Sequence, residues 1–380
     1  MSQLEELITR EFPQDKDIIY LNHAAVAPWP TRTAEAVKQF ASENILTGAM
    51  NYPAWVKKET QLRQQIQKLL NAPSSDDIAL LKNTSEALSV VACGINWQSG
   101  NNVVSTDQEF PSNRIVWQAQ QRHGVEFREV DIISSSDPEQ ALISACDENT
   151  RILAVSSVQF GTGFRLNLEI LGNFCQQNNV LFCVDAIQSI GAHTLDIQKI
   201  QADFVMADAH KWMLGPEGIA VFYCKQNVRD KLQLNQFGWH MVEDSGNYDT
   251  KVWQIAASAR RFECGSSNML GIHALSASLS LIEEAGMQTI EEKIQQNASY
   301  LVKTLANDKR VEILTPLDES RRAGIVTFKI HGVDMAVLHR KLMESKVICA
   351  HRMGGIRFSP HFYISHEKID NALEVINLSI

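Results

Sequence analysis

Five short, nearly unbroken apolar runs, at residues 102–105, 152–156, 180–184, 204–207 and 219–223, constrain this chain more than anything else in it. A strand with one wet face alternates apolar and polar residues, so a run that does not alternate is buried on both faces. Stretches of helical spacing, such as 112–122 and 167–177, separate most of these runs. Strands buried on both sides and joined by helical crossovers give an α/β core with a mostly parallel sheet. Two amphipathic helices, 31–46 and 54–70, precede this rhythm, the second with Leu62, Ile66, Leu69 and Leu70 on one side.

Towards the end the pattern changes. Residues 266–308 read as helix almost throughout. Runs at 311–314, 324–330, 346–349 and 355–359 then mix with helices at 333–345 and from Ser365 onward. Hairpin-length connections among them predict a second, smaller α+β domain. The expected division is a large α/β domain over 15–285 and a small one over 286–380, with residues 1–30 packing near the small domain. No Pro/Gly-rich linker or repeat separates the two, so they are expected to pack rigidly.

Charge and cysteine usage narrow the function. The 35 basic and 44 acidic side chains leave a formal charge of −9, with no Lys/Arg-rich run to release counterions from nucleic acid or dock on anionic lipid. No stretch approaches the roughly 18 apolar residues of a membrane span. The start, MSQLEELITREFPQD, is acidic and lacks the apolar core of a secretory signal. Seven cysteines stand scattered without a CxxC, several in apolar words such as LFCV and VICA. They read as reduced core thiols in a cytoplasmic protein. The eleven histidines show no metal-ligand rhythm, so no metal is expected.

One segment, 180–223, carries chemistry. Asp185 ends an apolar run, with Gln188 three positions on; Asp208, His210 and Lys211 end the next, followed by Gly215, Pro216 and Gly218. In a parallel sheet the carboxyl ends of neighbouring strands open into one crevice, so these residues can converge. A lysine in a partly desolvated pocket loses proton affinity and can form a Schiff base with an aldehyde. A carboxylate opposite a pyridine nitrogen keeps it protonated, which makes the ring an electron sink. An amide such as Gln188 can hydrogen-bond a phenolate oxygen. Aldehyde, pyridine and phenolate together describe pyridoxal 5′-phosphate.

The words VDAIQSIG and ADAHKWMLGPEG resemble the class V aminotransferase and cysteine desulfurase family of fold-type I pyridoxal-phosphate enzymes. The resemblance runs over nearly the whole chain. It implies the PLP-dependent transferase fold of type I and the Schiff base at Lys211, with Asp185, Gln188 and His210 around the cofactor. KNTSEALSVVACG (82–94) resembles the phosphate-binding turn before a helix, with Thr84 and Ser85 as ligands at a helix N-terminus, although an ordinary N-cap has the same spelling. EFPSNRIVW (109–117) is similar to the segment that lays an aromatic on the cofactor ring. Phe110 stands where many relatives have His. SSVQFGTGFRLNL (156–168) places Gln159 near substrate carboxylate or ring oxygen; its GTG lacks the third glycine of a dinucleotide fingerprint. ARRFECGSSNMLG (259–271) implies that Gly265 and Ser266 reach the phosphate of a neighbouring subunit, hence a homodimer with shared active sites. GGIRFSPHFYISHEKID (354–370) implies that Arg357 forks the substrate α-carboxylate, with His361 and Tyr363 as loop-fixing residues.

Three departures from the family pattern stand out. Asp208 occupies a position where relatives use a small hydroxyl residue on the phosphate, and a carboxylate there must turn away or bond a neighbouring donor. Ile364 replaces the Asn that usually follows the Tyr. The RxGHHC loop that carries a desulfurase thiolate is missing, and Cys349 lies in a strand-like run. The resemblance therefore implies first a class V aminotransferase-like activity on an amino acid. A cysteine desulfurase or C–S lyase comes second, then an epimerase resembling isopenicillin N epimerase. A non-catalytic PLP-binding protein is the alternative from another class.

Overall fold

In the computed structural model, which describes residues 2–380, the apolar runs line up as one sheet. In chain order the strands are β1 (Ile19–Tyr20), β2 (Ile78–Leu81), β3 (Asn102–Thr106), β4 (Glu126–Val130), β5 (Thr150–Ser156), β6 (Leu181–Asp185), β7 (Phe204–Asp208) and β8 (Ala220–Cys224). β9 (Val311–Ile313), β10 (Val326–Ile330), β11 (Val347–Ile348), β12 (Ala350–Arg352) and β13 (Gly355–Phe358) follow. The main sheet has the order β2-β8-β7-β6-β5-β3-β4. β8 alone runs against the others, because the loop 209–219 returns the chain directly beside β7. β3, β7 and β8 are buried along their whole length, as unbroken apolar runs require.

Alternate residues feed cores on the two faces of this sheet. Phe182 and Val184 face one, Cys183 faces the other, and Val205 is flanked by Phe204 and Met206 in the same way. Two strands of this sheet escaped the sequence reading for opposite reasons. β2 is only four residues long, and β4 is a half-wet edge strand spelled Glu-Phe-Arg-Glu-Val. Charge on an exposed edge blocks pairing with other chains and hides the strand from an apolar search.

The C-terminal strands form a separate antiparallel sheet, β12-β13-β10-β9. Its β13 carries Arg357, opposite Thr327 on one side and Ala350 on the other. Gly286 separates the helices Met269–Ala285 and Met287–Leu305 within the stretch read as continuous helix. The N-terminus joins the C-terminal part: β1 pairs in parallel with β11, and Asn22 bridges to Ser359. A first helix, Gln3–Glu11, was not read from sequence, although Ser2 and Glu5 spell its capping box.

Helix Leu168–Asn178 shows how closely the layers approach. A Cβ at Gly172 would lie 1.8 Å from the Ile200 carbonyl oxygen. Gly172→Ala must push this helix off its neighbour, and overpacking of this kind costs about 3 kcal/mol. A clear drop in the urea midpoint at unchanged slope is expected; an unaltered midpoint would contradict the packing.

Candidate active site

The ends of β6 and β7 deliver the two central groups. Asp185 closes β6 and is 2% exposed. Its Oδ1 accepts from the Ile187 amide at 3.0 Å. Burial pushes its carboxyl up to about 7, the Glu109 and Asp208 charges add to the rise, and Lys211 opposes it. Lys211 lies three residues beyond β7, in a turn closed by Leu214 N–H to the Lys211 carbonyl at 3.1 Å and Gly215 N–H to Ala209 at 2.9 Å. It is 8% exposed. Burial lowers its amine to about 8; Asp185 pulls the other way and the Arg357 charge reinforces the fall. Desolvation thus outweighs attraction at both groups.

Phe110 stands over the amine, with Lys211 Nζ 5.6 Å from its ring centroid, and packs edge-on against Phe160 at 5.2 Å. The residue before it is a buried hub that the sequence reading missed. Glu109 accepts from the Ser156 amide (2.7 Å) and hydroxyl (2.5 Å), Asn113 Nδ2 (2.9 Å), Gln159 Nε2 (3.2 Å) and Thr106 Oγ1 (3.2 Å). It joins the ends of β3 and β5 beneath Phe110. An acid directly before the candidate stacking aromatic was the available signal. Gln159 is spent differently from expectation: its amide N–H groups turn to Glu109 and the Ser156 carbonyl, while its buried Oε1 has no partner. That free atom is an acceptor, which suits a donor and not a carboxylate.

Asp208 resolves its conflict by bonding Thr84. The Thr84 amide donates to Asp208 Oδ2 at 3.2 Å, and the Asp208 amide donates to Thr84 Oγ1 at 3.0 Å. This reciprocal pair ties helix Thr84–Gly94 to the end of β7 and occupies one amide of the expected phosphate turn. Ser85 stays exposed, its hydroxyl donating to Ser112 Oγ at 2.8 Å. Asn83 Oδ1 caps the Glu86 amide at 2.8 Å, so the ordinary N-cap is also present. His210 Nδ1 stands 3.6 Å from Asp208 Oδ1, and neither atom has a hydrogen-bond partner.

Gln188 is held from both ends: Nε2 donates to the Ala24 carbonyl at 3.1 Å, and Oε1 accepts from Trp212 Nε1 at 2.8 Å. One amide hydrogen remains for another acceptor. Arg357 is 2% exposed, and its Nη1 donates to the Phe160 carbonyl at 2.8 Å. Its Nε is buried without a partner, and among the described residues no acid pairs with it. Burial lowers this guanidinium to about 9, an expensive state that a bound carboxylate would relieve. Ser266 lies at the surface, and a Cβ on Gly265 would meet open space.

Cys349 is buried, and burial pushes its thiol up to about 12. It offers no thiolate near neutrality. Glu59, His240 and Glu263 approach one another as metal ligands might, but Arg63 already pairs with both carboxylates, at 2.6 and 2.7 Å.

The sequence profile described as aminotransferase class V matches residues 19–371. The chain belongs to the class V aminotransferase family. It is 29% identical to a probable cysteine desulfurase of Methanothermobacter thermautotrophicus, over 96% of this chain and 95% of that one. It is 26% identical to an uncharacterized aminotransferase of Bacillus subtilis, over 99% and 98%. Among solved structures, the cystine C-S lyase C-DES in complex with cysteine persulfide superposes with a TM-score of 0.89 at 23% identity, covering 97% of this chain and 99% of that one. The apo cysteine desulfurase of Thermococcus onnurineus gives 0.86, also at 23%, with 98% of each covered. The fold is therefore that of the type I PLP-dependent enzymes, and the family is PLP-dependent. The residues fit that cofactor: a buried amine for its aldehyde, a buried carboxyl for its ring nitrogen and a phenyl ring beside the amine.

A midpoint tests the electrostatics directly. In the apoprotein Lys211 should be acylated half-maximally near pH 8, whereas an exposed lysine titrates at about 10.4. Peptide mass spectrometry across the pH range reads this, and a midpoint in the ordinary lysine range would place the amine in water.

Proposed function

We propose that this PLP-dependent enzyme acts on an α-amino acid, with Lys211 as the proton carrier and Arg357 as the seat of the substrate carboxylate. The observation that carries this reading is the buried, acid-free guanidinium of Arg357, whose charge is felt at Lys211. When bound, pyridoxal phosphate supplies an aldehyde and a conjugated ring that draws electrons from the substrate α-carbon. Asp185 holds the proton on the ring nitrogen. Phe110 covers the ring and excludes water. Lys211, with an amine near neutrality, takes and returns the proton at the α-carbon. Thr84, through its hydroxyl, Ser85 and His210 hold the phosphate end, and the free amide hydrogen of Gln188 meets the ring oxygen.

Amino-group transfer is the first reading: the family is that of the class V aminotransferases, and Lys211 supplies the proton carrier it needs at the α-carbon. Phe110 carries no proton, which disfavours a two-base epimerisation. The names of the relatives favour a second reading, C–S bond cleavage on a cysteine-type substrate. Cys349 argues against a thiolate relay in that case, since its thiol is buried and protonated. The surface beside Gly265 and Ser266 supports a homodimer. Phe237, Tyr248, Val252 and Trp253 are exposed there around a cavity of about 790 Å³ that also takes in Trp239, and exposed aromatic clusters of this kind mark protein contacts. Seven unpaired thiols suit a cytoplasmic setting. The break at Gly286 supports the division into domains of 15–285 and 286–380.

Product analysis separates the readings. A 2-oxo acid that appears only with an acceptor oxo acid marks transfer. Pyruvate with sulfide or persulfide from cysteine or cystine, unchanged in Cys349→Ala, marks direct lysis. Lys211→Ala should lose the visible colour of the purified protein. Arg357→Ala should raise KM for α-amino acids by about 10- to 100-fold, the worth of a charge-assisted hydrogen bond, and leave amines without a carboxylate nearly unaffected; equal effects on both would remove Arg357 from the substrate site. Asp185→Asn should keep bound cofactor yet lose most turnover, and near-normal turnover would refute its assignment to the ring nitrogen.

A further inference from the structure

Lys211 is placed by the residue after it. Trp212 is 1% exposed and both of its side-facing polar groups are fixed: Nε1 donates to Gln188 Oε1, and the backbone carbonyl meets His361 Nε2 at 3.1 Å. Glycine at 191, with φ +91°, lets the chain pass so near that a Cβ would sit 2.3 Å from the Trp212 carbonyl oxygen. A Cβ at Gly324 would strike the indole at 2.8 Å. The socket admits one setting of the Lys211–Trp212 segment.

The tautomer of His361 follows from its neighbours. Nδ1 accepts from the Phe362 amide at 2.9 Å, so the proton sits on Nε2 and points at the Trp212 carbonyl. Burial holds the ring neutral, down to about 4. The imidazole is itself braced. Asn297 Nδ2 donates to the His361 carbonyl at 3.1 Å, Tyr363 stacks on the ring, and His23 meets its edge. His23 Nδ1 donates to the Ser359 carbonyl at 2.8 Å, leaving Nε2 to accept the Tyr363 hydroxyl at 2.6 Å. Each of these polar atoms has a single consistent role.

We propose that His361 is a positioning residue for Lys211: its Nε2–H holds the Trp212 carbonyl, and through that peptide sets where the lysine amine stands. The proposal rests on Lys211 being the Schiff-base lysine. It gives the SPHFY word a function other than packing, since the segment that follows β13 reaches across to the lysine turn through this donor. Displacement of a reacting group by about 1 Å can cost 100-fold in rate, so the bond matters although His361 touches neither cofactor nor substrate.

Three variants separate donation from bulk. His361→Gln places an amide N–H near the Nε2 position. His361→Asn keeps a polar group near Nδ1 but cannot reach Trp212, and His361→Leu removes every donor. The first readout is the pH profile of Lys211 labelling by trinitrobenzenesulfonate in the apoprotein, read by peptide mass spectrometry. The Gln variant should keep the wild-type midpoint, while Asn and Leu should move it up by about one pH unit as the amine regains water. In holoenzyme, Asn and Leu should lower kcat about 10- to 100-fold with KM within about threefold, and Gln should restore it. An unmoved midpoint in folded Asn or Leu variants would overturn the proposal. So would a Gln variant that fails to fold or behaves like Leu, because the donor would then not be what matters. Borohydride reduction of the wild-type holoenzyme tests the underlying reading separately: an adduct on a peptide without Lys211 would remove that reading, whatever the His361 variants do.

Discussion

A buried amine and a buried carboxyl at the ends of neighbouring strands set the terms for everything around them. Each is costly to ionise out of water, and their mutual attraction does not repay that cost, so the lysine falls to about 8 and the aspartate rises to about 7. Two groups whose ordinary values lie six or more pH units apart are thus drawn towards each other by the same burial. An amine lowered in this way sheds its proton more readily than an exposed lysine, which suits it to the base role proposed for it. The order β7-β6-β5 achieves this without strain at the reacting groups, since strand ends share one crevice by construction.

The opposite wall of that crevice belongs to another sheet, and the joint between them is made of backbone carbonyls. The loop after β5 offers four in succession. Arg357 takes that of Phe160, Thr327 Oγ1 that of Gly161 (2.6 Å), Thr315 Oγ1 that of Thr162 (2.7 Å) and the Ala323 amide that of Gly163 (3.0 Å). The guanidinium is therefore anchored to the sheet that carries Lys211 before any ligand arrives. Its unmatched charge lowers the lysine further, so the carboxylate grip proposed for Arg357 and the readiness of the amine are parts of one electrostatic arrangement.

The main sheet was legible because double burial keeps the middles of β5, β6, β7 and β8, and the Val103–Val104 pair of β3, apolar, and such runs are visible in one sequence. β4 was not, since an edge strand is selected for charge, and neither was the pairing of β1 with β11, which spans more than three hundred residues. Asp185 and Lys211 stand in two long words and Phe110 in a third, EFPSNRIVW, and the fold brings the three side chains to one place. Roles that depend on competition for a hydrogen bond were not legible. Gln159 spells a substrate amide and is spent on Glu109. The Thr84 amide spells an anion donor and is spent on Asp208. Which acceptor wins a donor is decided by tertiary distance, and sequence spacing carries no information about it.

The departures from the family pattern are explained on the same basis. Asp208 would repel a phosphate if it faced one with both oxygens. One oxygen accepts the Thr84 amide, so what the position loses as an anion ligand it returns as a clamp between β7 and the helix that begins at Thr84. Ile364, where relatives place Asn, is 4% exposed and packs in the core. The amide missing from that turn comes from elsewhere: Asn297, on the helix Met287–Leu305, donates to the Ile364 carbonyl at 3.0 Å and to that of His361. The two acceptors lie three residues apart on one turn, so a single side chain closes it from outside. An apolar residue inside the turn is then favoured over a second amide, which would have had no partner left to bond.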